Sequence, residues 1–302
     1  MPSTTIASRS RDGRAALDWR VIAKTDADYP ASLRDLRDAP AQLWAVGRVE
    51  LATSTPIVAI VGTRDSTPYG ERVTRELART LARRGACIVS GMARGIDAAA
   101  HRAALDENGP TVAVLGTGID VPYPVGHRAL HETIGRRGLL LAELPPGTRA
   151  FRGCFPRRNR VIAALASVTI VVEAGVKSGA LNTSGWALEL GRTVAAVPGP
   201  IDIPQAGGSN QLLRDGATVI ADVADALALV GLTPVIRRPR AFADPDTAAV
   251  WAALGDGPLD SDALCARSGL PAHRCLAAVT ELEVQGAVEC ALTGLIWRVG
   301  AG

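Results

Sequence analysis

The 302-residue chain is poor in lysine, poor in aromatic rings and without a long apolar run. Lysine occurs only at Lys24 and Lys177, so almost all positive charge is arginine. A GC-rich genome produces that usage by itself, and arginine abundance alone therefore does not argue for nucleic acid. Three Phe and three Tyr leave few places where bases could stack. The longest apolar stretch, Val161 to Val172, is about half of the ~20 residues a membrane span needs. The N-terminus, with Arg9, Arg11 and Arg14, lacks an apolar signal core, so no membrane association and a cytoplasmic location are expected. Five scattered cysteines (Cys87, Cys154, Cys265, Cys275, Cys290) include no Cys-x-x-Cys pair, which excludes a disulfide framework and a zinc knuckle and leaves reduced, mostly buried thiols. Also missing are the Gly-x-x-x-x-Gly-Lys-Ser/Thr phosphate loop, His-Glu-x-x-His and the Gly-x-Ser-x-Gly elbow. His127 and His131 stand four apart without a third ligand and read as solvated or capping residues. No metal, cofactor or catalytic residue is expected.

What is present is a 47% apolar chain able to bury a large domain and a smaller one. Its charge is uneven. Residues 241–302 hold three Arg against eight Asp/Glu, a net of −5, which leaves residues 1–240 at +8.

From residue 56 onward, continuous apolar runs alternate with helical stretches. Pro56–Val61, Ala86–Val89, Thr111–Leu115, Leu139–Ala142, Val168–Val172 and Thr193–Val197 read as buried strands, because their polarity does not alternate. Helices are expected over Pro68–Arg84, with Thr67 as N-cap, and over Arg94–Glu107, Arg158–Leu165 and Ala180–Leu190. Strand and helix in alternation imply a doubly wound, mainly parallel α/β sheet of Rossmann-like type, whose ligands bind beyond the carboxyl ends of the strands. Residues 1–55 are expected to be a short N-terminal extension, mostly helical at best, and 56–231 the sheet domain. Residues 232–245, with the Arg237-Arg238-Pro239-Arg240 run, read as a linker. In 246–302, helices over Thr247–Leu254, Ser261–Ser268 and Ala272–Gln285 precede a hairpin of Val288–Leu292 and Leu295–Val299 around Thr293-Gly294, the outline of a winged helix.

The strand ends carry the candidate chemistry. Gly62, Thr63 and Arg64 follow the first strand, where a glycine turn, helix-start amides and an arginine suit an anion. Ser90, Gly91, Arg94 and Gly95 repeat the recipe after the second, ahead of Asp97 and His101, the latter read as a packing histidine. Gly116-Thr117-Gly118 invites a dinucleotide reading but fails it: Val121 stands at the third glycine, Pro122 and Pro124 interrupt any long helix, and the motif sits on the third strand. A mononucleotide there, with Glu143 toward a ribose, stays open. Phe155, Arg157, Arg158, Asn159 and Arg160 form the densest cluster, at a helix start, where three arginines suit phosphate and a solvated charge run is the alternative. Lys177, Ser178, Gly179 and Thr183 make a further Gly/Ser/Thr loop.

In order and spacing these motifs resemble the DNA-processing protein A (DprA/Smf) family over roughly residues 28–220. Tyr29-Pro30, Leu43-Trp44, Gly62-Thr63-Arg64, Ser90 to Asp97 with His101, Tyr123-Pro124, Phe155 to Ile162, Glu173 with Lys177 to Thr183, Gly191-Arg192 and Val197-Pro198-Gly199 carry the likeness. The N-terminal domain of many relatives is a stub here; Ala163-Ala164 and Asn182 depart from the family pattern. The resemblance implies an extended Rossmann fold, a homodimer, binding of incoming single-stranded DNA and its delivery to the RecA recombinase in natural transformation. Leu212-Leu213 and Val219-Ile220 are the first candidates for a dimer surface, ordinary core packing being the alternative. The C-terminal part resembles the winged helix of many members, and its −5 charge argues for a protein-contact role rather than a grip on duplex DNA. A nucleotide or phosphoribosyl enzyme is the competing class, since similar glycine loops serve both. The lack of a Pro-Gly-Gly-x-Gly-Thr segment and the Arg157–Arg160 cluster disfavour it, as acidity disfavours a winged-helix transcription factor.

Overall fold

The continuous apolar runs become buried parallel strands in the computed structural model, which describes residues 5–6, 18–233, 242–255, 257–291 and 294–298. The chain forms two compact units, Met1–Pro234 and Val235–Gly302. The first contains strands β1 (Thr5–Ile6), β2 (Trp19–Ala23), β3 (Gln42–Gly47), β4 (Ile57–Val61), β5 (Cys87–Ser90), β6 (Thr111–Leu115), β7 (Leu139–Ala142), β8 (Val168–Val171), β9 (Thr193–Ala196) and β10 (Thr218–Val219). They make one sheet in the order β1-β2-β3-β7-β6-β5-β4-β8-β9-β10. From β7 to β10 every neighbouring pair is parallel, and β4 lies centrally, Val58 opposing Ile88 on one side and Val168 on the other.

Helices α1 (Pro68–Arg83), α2 (Ile96–Asp106), α3 (Arg128–Arg137), α4 (Cys154–Leu165), α5 (Gly179–Glu189), α6 (Gly207–Arg214) and α7 (Val223–Ala228) connect and cover the strands. Both sheet faces are buried. Leu77, Leu81 and Ala103 of α1 and α2 pack with Ile60 and Ile88 in one layer, and Val161 and Leu165 of α4 pack with Ala59 and Val89 in another. Burial on both sides is why these strands carry no polar alternation. Because β4 is followed by β5 in one direction and by β8 in the other, the strand order reverses between β4 and β8. A doubly wound sheet opens its ligand crevice beyond the carboxyl ends at such a point.

Three expectations need correction. The segment before residue 56 is not mostly helical: apart from short 3-10 turns at Ala31–Asp35 and Val49–Ala52, its β2 and β3 add to the main sheet as antiparallel strands, β3 pairing with β7 through Trp44 opposite Ala142. Tertiary pairing along the free edge of β7 decides this, and local propensity could not. A helix of ten residues, α3, does follow the Gly116–Gly118 loop, but it starts at Arg128, beyond Pro122 and Pro124. The suggested dimer surface is mostly interior, since Ile220 is 3% exposed and Leu212 and Leu213 pack against the core, leaving only Val219 outward.

In the second unit, α8 (Pro245–Leu254), α9 (Ser261–Ser268) and α10 (Ala272–Val284) enclose Val250, Leu264, Cys275 and Leu282. Strands β12 (Val288–Cys290) and β13 (Leu295–Arg298) form the expected hairpin, and β11 (Leu259–Asp260) pairs with β13 as a third strand. Three helices and a small antiparallel sheet give a winged-helix outline. Residues 234–241, with the Arg237–Arg240 run of the expected linker, and Thr293 of the hairpin turn lie outside the described residues.

Candidate nucleic-acid interface

The switch point holds a groove of about 600 Å³, lined by the loops after β4 and β8, by the start of α4 and by the first turns of α5. Ten of the sequence candidates meet there: Gly62, Thr63, Arg64, Phe155, Arg158, Asn159, Lys177, Ser178, Gly179 and Thr183. A smaller pocket of about 220 Å³ shares Arg64, Phe155 and Arg158 with it and adds Gly91, Arg94 and Tyr123.

The first loop is built around a carboxylate. Glu173, 2% exposed, follows β8 and accepts from the amide and the hydroxyl of Thr67, at 2.9 and 2.5 Å. Thr67 Oγ1 accepts in turn from Gly70 N at 3.1 Å, and the Thr63 amide donates to the Glu173 carbonyl at 2.7 Å. The positive end of α1 is thus already neutralised by the protein's own anion. The expected amide cradle at α1 is corrected accordingly: Arg64, exposed and unpaired by any acid among the described residues, is what this loop offers.

The second loop follows the same logic. Asp97 Oδ2 accepts from the amides of Gly91 and Ala93, at 3.1 and 3.4 Å, so these donors are spent internally. Ser90 donates to the Ile60 carbonyl at 2.7 Å and is fully buried, which removes it from the interface. Gly95, at φ +73, adopts the left-handed conformation that lets the loop press against Thr63, a structural duty. Arg94 alone projects outward.

At α4 the three arginines part company. Arg157 is exposed and bonded to Glu143 at 2.7 Å, outside the groove lining. Arg160 is 1% exposed, held by Asp38 and Glu143 at 2.8 Å each. Arg158 lies in the groove floor, donating to the carbonyls of Gly91, at 2.7 Å, and Val114. Its guanidinium is pulled down to about 10 by burial, with Asp97 opposing, and stays charged at neutral pH. Burial also pushes Asp97 upward, against the pull of Arg158. A uniform edge of three phosphate-facing arginines is therefore corrected: internal carbonyls and carboxylates engage all three, because α4 is buried along most of its length.

Aromatic contact is concentrated at Phe155. Arg64 stacks over its ring at 5.3 Å, and Tyr123 packs beside it at 4.9 Å between centroids. Gly116 is small because Phe155 covers it: a Cβ there would stand 2.6 Å from the ring. The space a mononucleotide would take beside Gly116 is filled, and Glu143 is engaged by Arg157 and Arg160. Tyr123, 41% exposed, is a rim residue that the reading of strand ends did not single out. Its Tyr-Pro pair was visible, but nothing local joins it to a ring 32 positions later.

Three of the four histidines are tied into the sheet domain. His131 donates to the Ile119 carbonyl, and His127, at the N-cap position of α3 though without a side-chain cap bond, donates to that of Met92, at 2.9 and 3.0 Å. His101 is fully buried against Thr111, and burial lowers it to about 3. Among the described residues no cluster of three His, Cys, Asp or Glu could hold a metal ion, and no helix is long and apolar enough to cross a membrane.

Fold and groove together define a doubly wound α/β domain with a cationic crevice at its switch point. Residues 20–231 match the family model of DNA recombination-mediator protein A, and residues 237–291 that of the DprA winged helix domain. The chain belongs to the DNA-processing protein A (DprA/Smf) family. It is 37% identical over 269 residues to protein Smf of Escherichia coli, covering 85% of this chain and 72% of the relative. The solved structure of DNA processing protein A from Streptococcus pneumoniae is 40% identical, with a TM-score of 0.67 over 69% of this chain and 73% of that one. DNA processing protein A from Helicobacter pylori, whose structure concerns its single-stranded DNA binding mode, is 32% identical with a TM-score of 0.64 over 70% of this chain and 94% of that one.

Proposed function

We propose that this chain binds single-stranded DNA by its sugar-phosphate backbone along the switch-point groove and delivers the strand to the RecA recombinase in natural transformation. It does so as a cytoplasmic homodimer and without covalent chemistry. One observation carries the reading. Arg64, Arg94 and Lys177 project at the groove and its side pocket with no acid paired to them among the described residues, while the acids nearby, Asp97, Glu143 and Glu173, are each engaged by protein donors. Net positive charge is left for a ligand that brings negative charge at intervals, as a nucleic-acid backbone does.

The likeness to the Helicobacter pylori protein supports a single-stranded ligand, and the recombination-mediator family description supports the RecA step. A nucleotide enzyme is disfavoured because its two candidate acids, Asp97 and Glu143, are already occupied. The winged helix reads as a protein-contact module: Arg274 of α10 is held by Asp246, which leaves that helix no free arginine for phosphate. A gel-shift comparison of a single-stranded oligothymidylate with a duplex of equal length tests the binding. Stimulation of RecA assembly on strands coated with single-strand-binding protein tests the delivery. Equal affinity for both DNAs would end the first claim, and unstimulated assembly at full DNA occupancy the second.

A further inference from the structure

In the second unit, α10 turns one face into the small core and the other to solvent. Its inner side consists of Cys275, Ala278, Val279 and Leu282, all buried. At about 3.6 residues per turn, the opposite side carries Leu276, Ala277, Thr280 and Val284, and all four are exposed. Leu276 is 50% and Val284 84% exposed, so the helix presents an aliphatic row to water. Single exposed apolar residues are ordinary, whereas a row along one helix face marks a surface for another chain. Thr280 belongs to the row because its hydroxyl donates to the Leu276 carbonyl at 3.0 Å and needs no outside partner. Carboxylates border the row on both sides, Glu281 on one and Glu283 on the other. Glu281 accepts from Thr247 and Gln285, at 3.0 Å each, and both donors are neutral, so its charge is not compensated by them.

The face is unsuited to nucleic acid. In a winged helix that reads duplex DNA, the helix before the wing lies in the major groove and needs cations for the phosphates. Residues 241–302 contain no lysine, and of their three arginines Arg274 is bound to Asp246 at 2.6 Å, Arg298 donates to the Trp251 carbonyl and stacks over its ring, and Arg267 belongs to α9. We infer that the outer face of α10 docks a cationic amphipathic helix of a partner protein. The partner's aliphatic side chains lie on the row of Leu276, Ala277, Thr280 and Val284, and its flanking lysines or arginines meet Glu281 and Glu283. Leu276, Thr280 and Val284 succeed one another four residues apart, the spacing that receives a second helix packed alongside. Charge selects the occupant. A second copy of this face would set Glu281 and Glu283 against like charge, and an acidic helix would do the same, whereas a basic one compensates both. The inference deepens the reading of the winged helix as a protein-contact module and rests on it.

The test uses the isotope-labelled full chain and a synthetic helical peptide as long as α10, with leucine along one face and lysine on both flanks. A twin peptide has glutamate in place of every lysine. Titration with the lysine peptide should shift the amide resonances of Leu276, Ala277, Thr280 and Val284 ahead of those elsewhere in the chain, and the glutamate twin should leave them in place. The Leu276→Ser/Val284→Ser double variant should bind the lysine peptide about tenfold more weakly, the scale of the aliphatic contact removed. Glu281→Gln/Glu283→Gln should bind it more weakly than the parent at low salt and equally at high salt, where the charges are screened. Both variants should keep the parent's circular dichroism and its affinity for an oligothymidylate, since neither changes a residue of the groove. Parent-like peptide binding by both variants, or equal binding of the two peptides, overturns the docking face and leaves the protein-contact role to another surface of the unit. Shifts of the same α10 amides on addition of duplex DNA overturn the face and that role together.

Discussion

Glu173 caps the first turn of α1 from 106 residues away, its carboxylate accepting from the Thr67 amide at 2.9 Å. The tie fastens the end of β8 to the loop after β4, so the two walls of the switch-point groove are held by one buried acid. Glu173→Ala should leave the half-buried Thr67 donors without their acceptor, lowering stability by about 1–2 kcal/mol. Urea unfolding followed by circular dichroism measures this, and an unchanged midpoint would show that the tie contributes nothing.

Arg158 and Arg160 separate charge from binding. Removing Arg160 leaves Glu143 without one of its two arginine partners, and removing Arg158 leaves Asp97 buried without its neighbouring cation. Each alanine variant should lose about 3 kcal/mol of stability, the scale of a broken buried pair. Arg157→Ala, which changes an exposed side chain, should cost less than about 1 kcal/mol. Thermal melts of the three variants decide it, and equal melting temperatures would return the cluster to a solvated charge run.

Two histidines make the fold acid-sensitive. Burial lowers His101 to about 3 and also lowers His131, whereas both titrate near 6.5 in the unfolded chain. The unfolded state therefore binds more protons below that pH. The stability these groups contribute is complete above about 6.5 and falls as pH drops below it; for His101 the loss runs toward its folded value of about 3, at about 1.4 kcal/mol per unit. His101→Gln should remove one proton from the slope of unfolding free energy against pH between 6.5 and 5. An unaltered slope would mean that His101 does not titrate in this way.

The strand pattern of the sheet was legible because β4 to β9 are buried on both faces, and such strands stand out as unbroken apolar runs between glycine turns. The outer antiparallel strands β2 and β3 were not. Trp19–Ala23 and Gln42–Gly47 are short and partly exposed, and it is pairing of β3 with β7 and of β2 with β3 that makes them strands. At the site, residue type and position located the groove, since Arg64, Phe155, Lys177 and Thr183 converge as their strand ends imply. Residue type did not reveal which charges were already taken. Whether an arginine faces a ligand or a carbonyl depends on partners such as Val114, 44 positions from Arg158, and Asp38, 122 positions from Arg160.

The winged-helix unit should be dispensable for the groove. The residues that line it all belong to the first unit, which carries the basic part of the chain. A chain ending at residue 240 should hold single strands within a few-fold of the full protein, since it keeps every residue of the groove and loses the net negative charge of residues 241–302. Abolished binding by a truncation with intact circular dichroism would assign the second unit a direct part.

The most direct test of the backbone-held single strand is the salt dependence of binding in the parent and in the Arg64→Ala/Lys177→Ala double variant. The logarithm of the association constant for an oligothymidylate should fall linearly with the logarithm of salt concentration, at about −0.7 per phosphate contacted. The double variant should bind more weakly at low salt, with a slope shallower by about two phosphates and an unchanged melting temperature. A salt-independent affinity in the parent, or the same slope in parent and variant, would contradict the account.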